Sequence, residues 1–119
     1  PDKVCPTDQQ TVLVDCGSLI SCLAYATDRR PDVIIGKPDP RMLYNIMEKQ
    51  HLGPDEVALV GDRIYTDVKT ALNAGSTGIL VLSGETTMDI VRESDSKPTL
   101  IAKDLSELQS WLSFVHEKK

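Results

Sequence analysis

Residues 36–87 read GKPDPRMLYNIMEKQHLGPDEVALVGDRIYTDVKTALNAGSTGILVLSGETT. Two apolar runs lie inside this stretch, VALV at 57–60 and ILVL at 79–82, and three more lie outside it: VLV at 12–14, VII at 33–35 and LIA at 100–102. Unbroken β-branched runs of this length suit strands buried on both faces. The segments between them have helical periodicity and clear punctuation. Asp39 is placed to cap a helix with Pro40 at its first position, where no N–H is needed. Met42, Leu43, Ile46 and Met47 mark its apolar face, and Gly53 is the expected stop. Thr66 is the expected cap of the next helix, with Val68, Ala71 and Leu72 facing inward and Gly75 ending it.

Downstream, Asp104 and Glu107 have capping-box spacing ahead of a stripe of Leu105, Leu108, Trp111, Leu112 and Val115. Weaker helical patterns cover 18–26 and 87–92. From residue 33 onward the order is strand and helix in alternation, which predicts an α/β fold with right-handed crossovers and a parallel sheet flanked by helices. In such sheets ligands bind beyond the carboxyl ends of the strands. Gly36–Lys37, Gly61–Asp62 and Ser83–Gly84 all fall there.

Three charged groups stand at or near these ends: Lys37, Asp62 and, at the start of the next helix, Asp67. Phosphoryl transfer needs groups of these types. A hard cation such as Mg²⁺ takes carboxylate oxygen and few protein ligands. A lysine offsets the charge of a phosphate and of neighbouring carboxylates. Gly61 would let the backbone turn tightly before Asp62. Each residue also has a plainer reading. Gly-Asp after a strand is often only a turn, an acid at a helix start favours the dipole, and a Lys-Pro commonly sits in a solvated loop.

The combination of GKP before a helix, GDRIYTD, NAG and VLSGETT resembles the C-terminal core of haloacid-dehalogenase-like (HAD) hydrolases. More narrowly, it is similar to the NagD-like or 4-nitrophenyl-phosphatase branch, over residues 32–112. The resemblance implies a Rossmann-like core and a Mg²⁺-dependent phosphatase acting on a phosphorylated small molecule through an aspartyl-phosphate. It makes Lys37 the catalytic, phosphate-binding lysine, Asp62 the metal-binding aspartate, and Asp67 a second catalytic acid that joins Asp62 as a metal residue by supporting the metal site. It further implies that residues 1–31 are the tail of a cap domain and 32–119 the C-terminal half of the core.

The sequence departs from the family at its first motif, an apolar strand ending in Asp-x-Asp-Gly. There the first acid attacks phosphorus and the second serves as acid and base. No Asp-x-Asp occurs in this sequence. VLVDCGSL at 12–19 is superficially similar, but Gly17 replaces the second acid and Asp15 precedes Lys37 by only 22 residues. Asp15 therefore reads as a turn or helix-cap residue. The second motif, a strand ending in Ser or Thr before Lys37, is also missing. Ser83 ends a strand but comes after Asp62, so it belongs to a structural loop near the site. With Pro1 rather than methionine at its start, the chain is expected to be a fragment that is inactive alone.

Composition agrees with a soluble globular chain of 119 residues, 40% hydrophobic and 26% charged. One core is feasible at this length. A net charge of −5, with no basic run beyond Lys118–Lys119 (most simply a solvated end), argues against nucleic-acid and anionic-membrane partners. No apolar run is long enough to span a membrane. Three cysteines without a CxxC argue against a zinc site or disulfide framework and point to a reducing, cytoplasmic setting. Oligomeric state stays open, although an exposed sheet edge would favour a homo-oligomer. Two other classes compete with the enzyme. A signalling receiver domain also combines acids, Mg²⁺ and a Lys-Pro, but there the Lys-Pro follows the phosphorylated Asp, and here it precedes Asp62. A non-catalytic binding or assembly module would retain the fold alone.

Overall fold

A computed structural model describes residues 1–116; the Lys118–Lys119 pair lies outside the described residues. The chain divides into two units, Pro1–Gly36 and a second beginning at Lys37.

In the first unit, β1 (Val4–Pro6) and β2 (Val12–Val14) form an antiparallel hairpin, followed by α1 (Cys16–Thr27). Asp15 caps α1, its Oδ1 accepting from the Cys16 N–H at 2.6 Å, so the cap reading of that residue holds. The β2 run is a strand, but all three of its residues are exposed. The VII run at 33–35 is not a strand. A strand needs a neighbour to receive its N–H and C=O groups, and no strand among the described residues pairs with it.

The second unit holds α2 (Arg41–Gln50), a 3₁₀ turn at Pro54–Glu56, β3 (Ala58–Gly61), a π-helical turn at Ile64–Val68 running into α3 (Lys69–Asn73), β4 (Thr77–Val81), α4 (Met88–Glu93), β5 (Leu100–Ala102) and α5 (Leu105–His116). The sheet is parallel throughout, in the order β3-β4-β5. Side chains alternate across β4. Leu80 packs with Ile64, Val68 and Val91, whereas Ile79 and Val81 pack with Ala102 and Leu108. The turn before α3 and α4 therefore lie on one face and α5 on the other. Leu43 and Met47 of α2 pack with Ala74, Val57 and Leu59. Burial on both faces holds for β4 alone; β3 and β5 are edge strands with one side open.

Several local expectations change. Helix α2 ends at His51, in the left-handed region at φ 55°, and Gly53 instead opens the 3₁₀ turn. Met42 and Ile46 are exposed while Leu43 and Met47 are buried, because a ten-residue helix touching the core on one line buries only a narrow stripe. Leu72 is exposed for the same reason, and on α5 Leu108 is buried whereas Leu105, Leu112 and Val115 stay exposed. Gly75 does end α3, at φ 71°, a value few other residues adopt cheaply. Thr87 caps α4 through its hydroxyl, and Asp104 accepts from the Glu107 N–H as the capping-box spacing predicted.

Candidate phosphate and metal site

The site lies at the carboxyl end of β3. Lys37 begins the second unit, and its carbonyl neighbour Pro38 accepts from Asn73 Nδ2 at 2.9 Å, which ties the Lys37 loop to the end of α3. Tyr44 reinforces this tie, its hydroxyl donating to the Asn73 carbonyl at 3.2 Å. So held, the Lys37 ammonium sits 2.5 Å from Asp67 Oδ1. The Asp67 side chain is 7% exposed and the Lys37 side chain 43%. The carboxylate is thus nearly enclosed, while the ammonium keeps open surface and two further N–H donors.

Asp67 does not follow a helix cap at Thr66, as the spacing suggested. The chain winds into a π-helical turn two residues earlier, which buries Thr66 and Asp67 together. The other oxygen of Asp67, Oδ2, accepts from the Arg63 N–H at 3.1 Å, and the Asp67 N–H returns to the Arg63 carbonyl at 2.9 Å. Asp67 therefore bridges Lys37 and the backbone next to Asp62. Gly61 serves this arrangement through its size. Its φ is not in the left-handed region, but a Cβ there would overlap the Asp67 carboxylate. The expected tight turn is thus replaced by a close approach.

Asp62 is half-buried. Its Oδ2 accepts from the Glu85 N–H at 2.9 Å and its carbonyl from the Thr86 N–H at 3.1 Å. Its Oδ1 has no protein donor among the described residues. Ser83 does not end the strand as expected: β4 stops at Val81, and Ser83 lies in the turn beyond it with no described bond to either acid. The residues that hold Asp62, namely Gly84, Glu85 and Thr86, were not singled out individually by the sequence, although VLSGETT had marked the segment. Glu85 also receives Arg63 Nε at 2.7 Å and the Tyr65 hydroxyl at 2.5 Å, which links the loop to the turn after Asp62.

Lys37, Asp62 and Asp67 are therefore brought to one end of the sheet, by direct contact or through a single intervening residue. No group of three or more His, Cys, Asp or Glu suited to a metal occurs among the described residues. A Mg²⁺ ion that retains waters nevertheless takes as few as one or two protein carboxylates. Asp62, with an oxygen that no described residue claims, fits as a ligand. Asp67, with a donor on each oxygen, fits better as the support that holds Lys37.

The HAD-hydrolase-like family model matches residues 34–108. The chain belongs to the HAD-like hydrolase family. The acid sugar phosphatase of Staphylococcus aureus is 34% identical to this HAD-like chain over 107 residues, covering 90% of it and 40% of that protein. The 4-nitrophenylphosphatase of Thermotoga maritima superposes with a TM-score of 0.83 at 42% identity, over 92% of this chain and 42% of that one. The glycerol phosphate phosphatase of Mycobacterium tuberculosis, solved in complex with magnesium, superposes at 0.78 with 29% identity, over 90% and 32%. The likeness falls in the NagD-like, 4-nitrophenyl-phosphatase branch. The HAD-like chain spans about 40% of the length of the curated relatives it matches. No helix among the described residues is long and apolar enough to cross a membrane.

Proposed function

We propose that this chain is the C-terminal part of the core of a Mg²⁺-dependent phosphomonoesterase acting on a phosphorylated small molecule, with residues 1–31 the tail of its cap domain. One observation carries the reading. Asp67 binds the Lys37 ammonium with one oxygen and the backbone next to Asp62 with the other, so a cation for phosphate and a carboxylate for metal are fixed to one support. The naming of the relatives as phosphatases supports the reading, and the magnesium complex among them supports the choice of ion.

Asp62, whose Oδ1 takes no donor from the described residues, would hold the ion, and Asp67 would support the site by holding Lys37. Bound there, Mg²⁺ would neutralise charge on the phosphate oxygens. Lys37 keeps one N–H on Asp67 and turns its remaining donors to the phosphate, so that the phosphate and the acids do not repel each other. Neither acid attacks phosphorus: Asp67 is committed to two donors, and the chain has no Asp-x-Asp. The nucleophile and its acid partner come from residues outside these 119, and the chain alone does not turn over. The setting is cytoplasmic. Steady-state kinetics of the parent protein across a Mg²⁺ titration test the assignment. Loss of turnover and of metal dependence in Asp62→Asn is expected, and wild-type behaviour in that variant would remove it.

A further inference from the structure

The loop at 83–86 meets Asp62 from several directions at once. The Glu85 N–H donates to Asp62 Oδ2 at 2.9 Å, and the Thr86 N–H donates to the Asp62 carbonyl at 3.1 Å. The Thr86 hydroxyl, on a residue only 2% exposed, accepts from the Ile64 N–H at 3.2 Å, so the same loop also fixes the chain just after Asp62. Gly84 completes the contact. A Cβ built on it would overlap Oδ2 of Asp62 and come within 2.5 Å of the Asp62 Cβ and Cγ. No atom outside Asp62 is among the three nearest to that Cβ.

Gly84 is itself exposed and its φ is not in the left-handed region. Neither burial nor backbone conformation therefore demands a glycine there. What demands it is the Asp62 carboxylate lying where a side chain would be. An exposed loop glycine whose three nearest would-be contacts all belong to a candidate metal ligand acts on that ligand.

We propose that Gly84 is a positioning residue for Asp62: the missing side chain lets the loop close on the carboxylate, the Glu85 N–H takes Oδ2, and Oδ1 is left for the ion. This deepens the metal reading and rests on it. Alanine at 84 forces either the Asp62 side chain to rotate or the loop to lift, and each breaks the Glu85–Asp62 bond. The fold has no reason to fail, since the hydrophobic clusters do not include this loop.

The test uses the parent protein as wild type, Gly84→Ala and Asp62→Asn. Amide hydrogen exchange at Glu85, Mg²⁺ affinity by titration, and thermal melting in chelator are measured on each. In Gly84→Ala the Glu85 amide should exchange about tenfold faster, as for loss of a hydrogen bond to a charged acceptor. Mg²⁺ should bind about 10- to 100-fold more weakly, the usual effect of losing a group that orients a ligand, with melting close to wild type. Wild-type exchange at Glu85 together with wild-type Mg²⁺ affinity in Gly84→Ala would overturn the proposal while leaving Asp62 as the ligand. Wild-type Mg²⁺ affinity in Asp62→Asn would instead defeat the metal reading. Exchange at Glu85 would then still decide whether Gly84 sets the Asp62 side chain. If Gly84→Ala does not fold, Thr86→Val and Thr86→Ser replace it. The valine should lose Glu85 protection and the serine, which keeps the hydroxyl, should restore it; equal protection in the two would overturn the proposal.

Discussion

Lys37 and Asp67 are 30 residues apart in sequence, yet the ammonium of one lies 2.5 Å from Oδ1 of the other. The second oxygen of the same carboxylate holds the Arg63 N–H, so Asp67 joins the Lys37 loop to the segment that carries Asp62. An enclosed acid with an open lysine on it is poised to offer that lysine to an anion without letting it wander.

Lys37→Met keeps most of the stem and removes the cation. In the parent protein turnover should fall by about 10²–10³-fold, the scale for losing one charge-stabilising group. Circular dichroism should show the fold retained, since the Lys37 stem survives, with melting lowered because the enclosed Asp67 carboxylate loses its cation. A rate within a few-fold of wild type would contradict the phosphate role.

Asp67→Asn should be milder. Asparagine still offers an oxygen to the Arg63 N–H but no charge to Lys37. The expected loss in turnover is about tenfold, as for a residue acting through its neighbour. A loss as large as that of Asp62→Asn, with the same Mg²⁺ dependence, would make Asp67 a direct ligand.

Gly61→Ala introduces a Cβ where the Asp67 carboxylate now lies. Overpacking of this kind costs about 1–3 kcal/mol. Urea unfolding of the chain should show that loss. An unchanged midpoint would mean that the close approach of Gly61 and Asp67 is not required.

Much of this was readable from residue type and spacing, and the failures share a cause. β4 was legible because a central parallel strand is covered on both faces and must be apolar throughout. The VII run at 33–35 has the same composition but no strand beside it, and pairing is a property of neighbours that no local pattern records. Lys37 and Asp62 were visible as charged groups just after apolar runs. The Asp67 role was only half visible, since an acid near a helix start reads as a cap whether or not a lysine lies on it. Gly84 and Thr86 were hidden, because their meaning is a distance to Asp62 across more than twenty residues of chain.

The 119 residues alone should not hydrolyse 4-nitrophenyl phosphate above background, since no Asp-x-Asp is present and Asp15 is engaged in capping α1. A colorimetric assay with and without Mg²⁺ checks this. A robust Mg²⁺-dependent rate abolished by Asp15→Ala would show that Asp15 is the nucleophile.

The central claim is that Asp62 holds the metal on which phosphate transfer depends. Steady-state kinetics of Asp62→Asn in the parent protein, across a Mg²⁺ titration, test it most directly. Asparagine preserves size and an acceptor for the Glu85 N–H but removes the charge. Turnover should fall by about 10²-fold or more, with saturation displaced to much higher Mg²⁺. Wild-type turnover with wild-type Mg²⁺ dependence would contradict it.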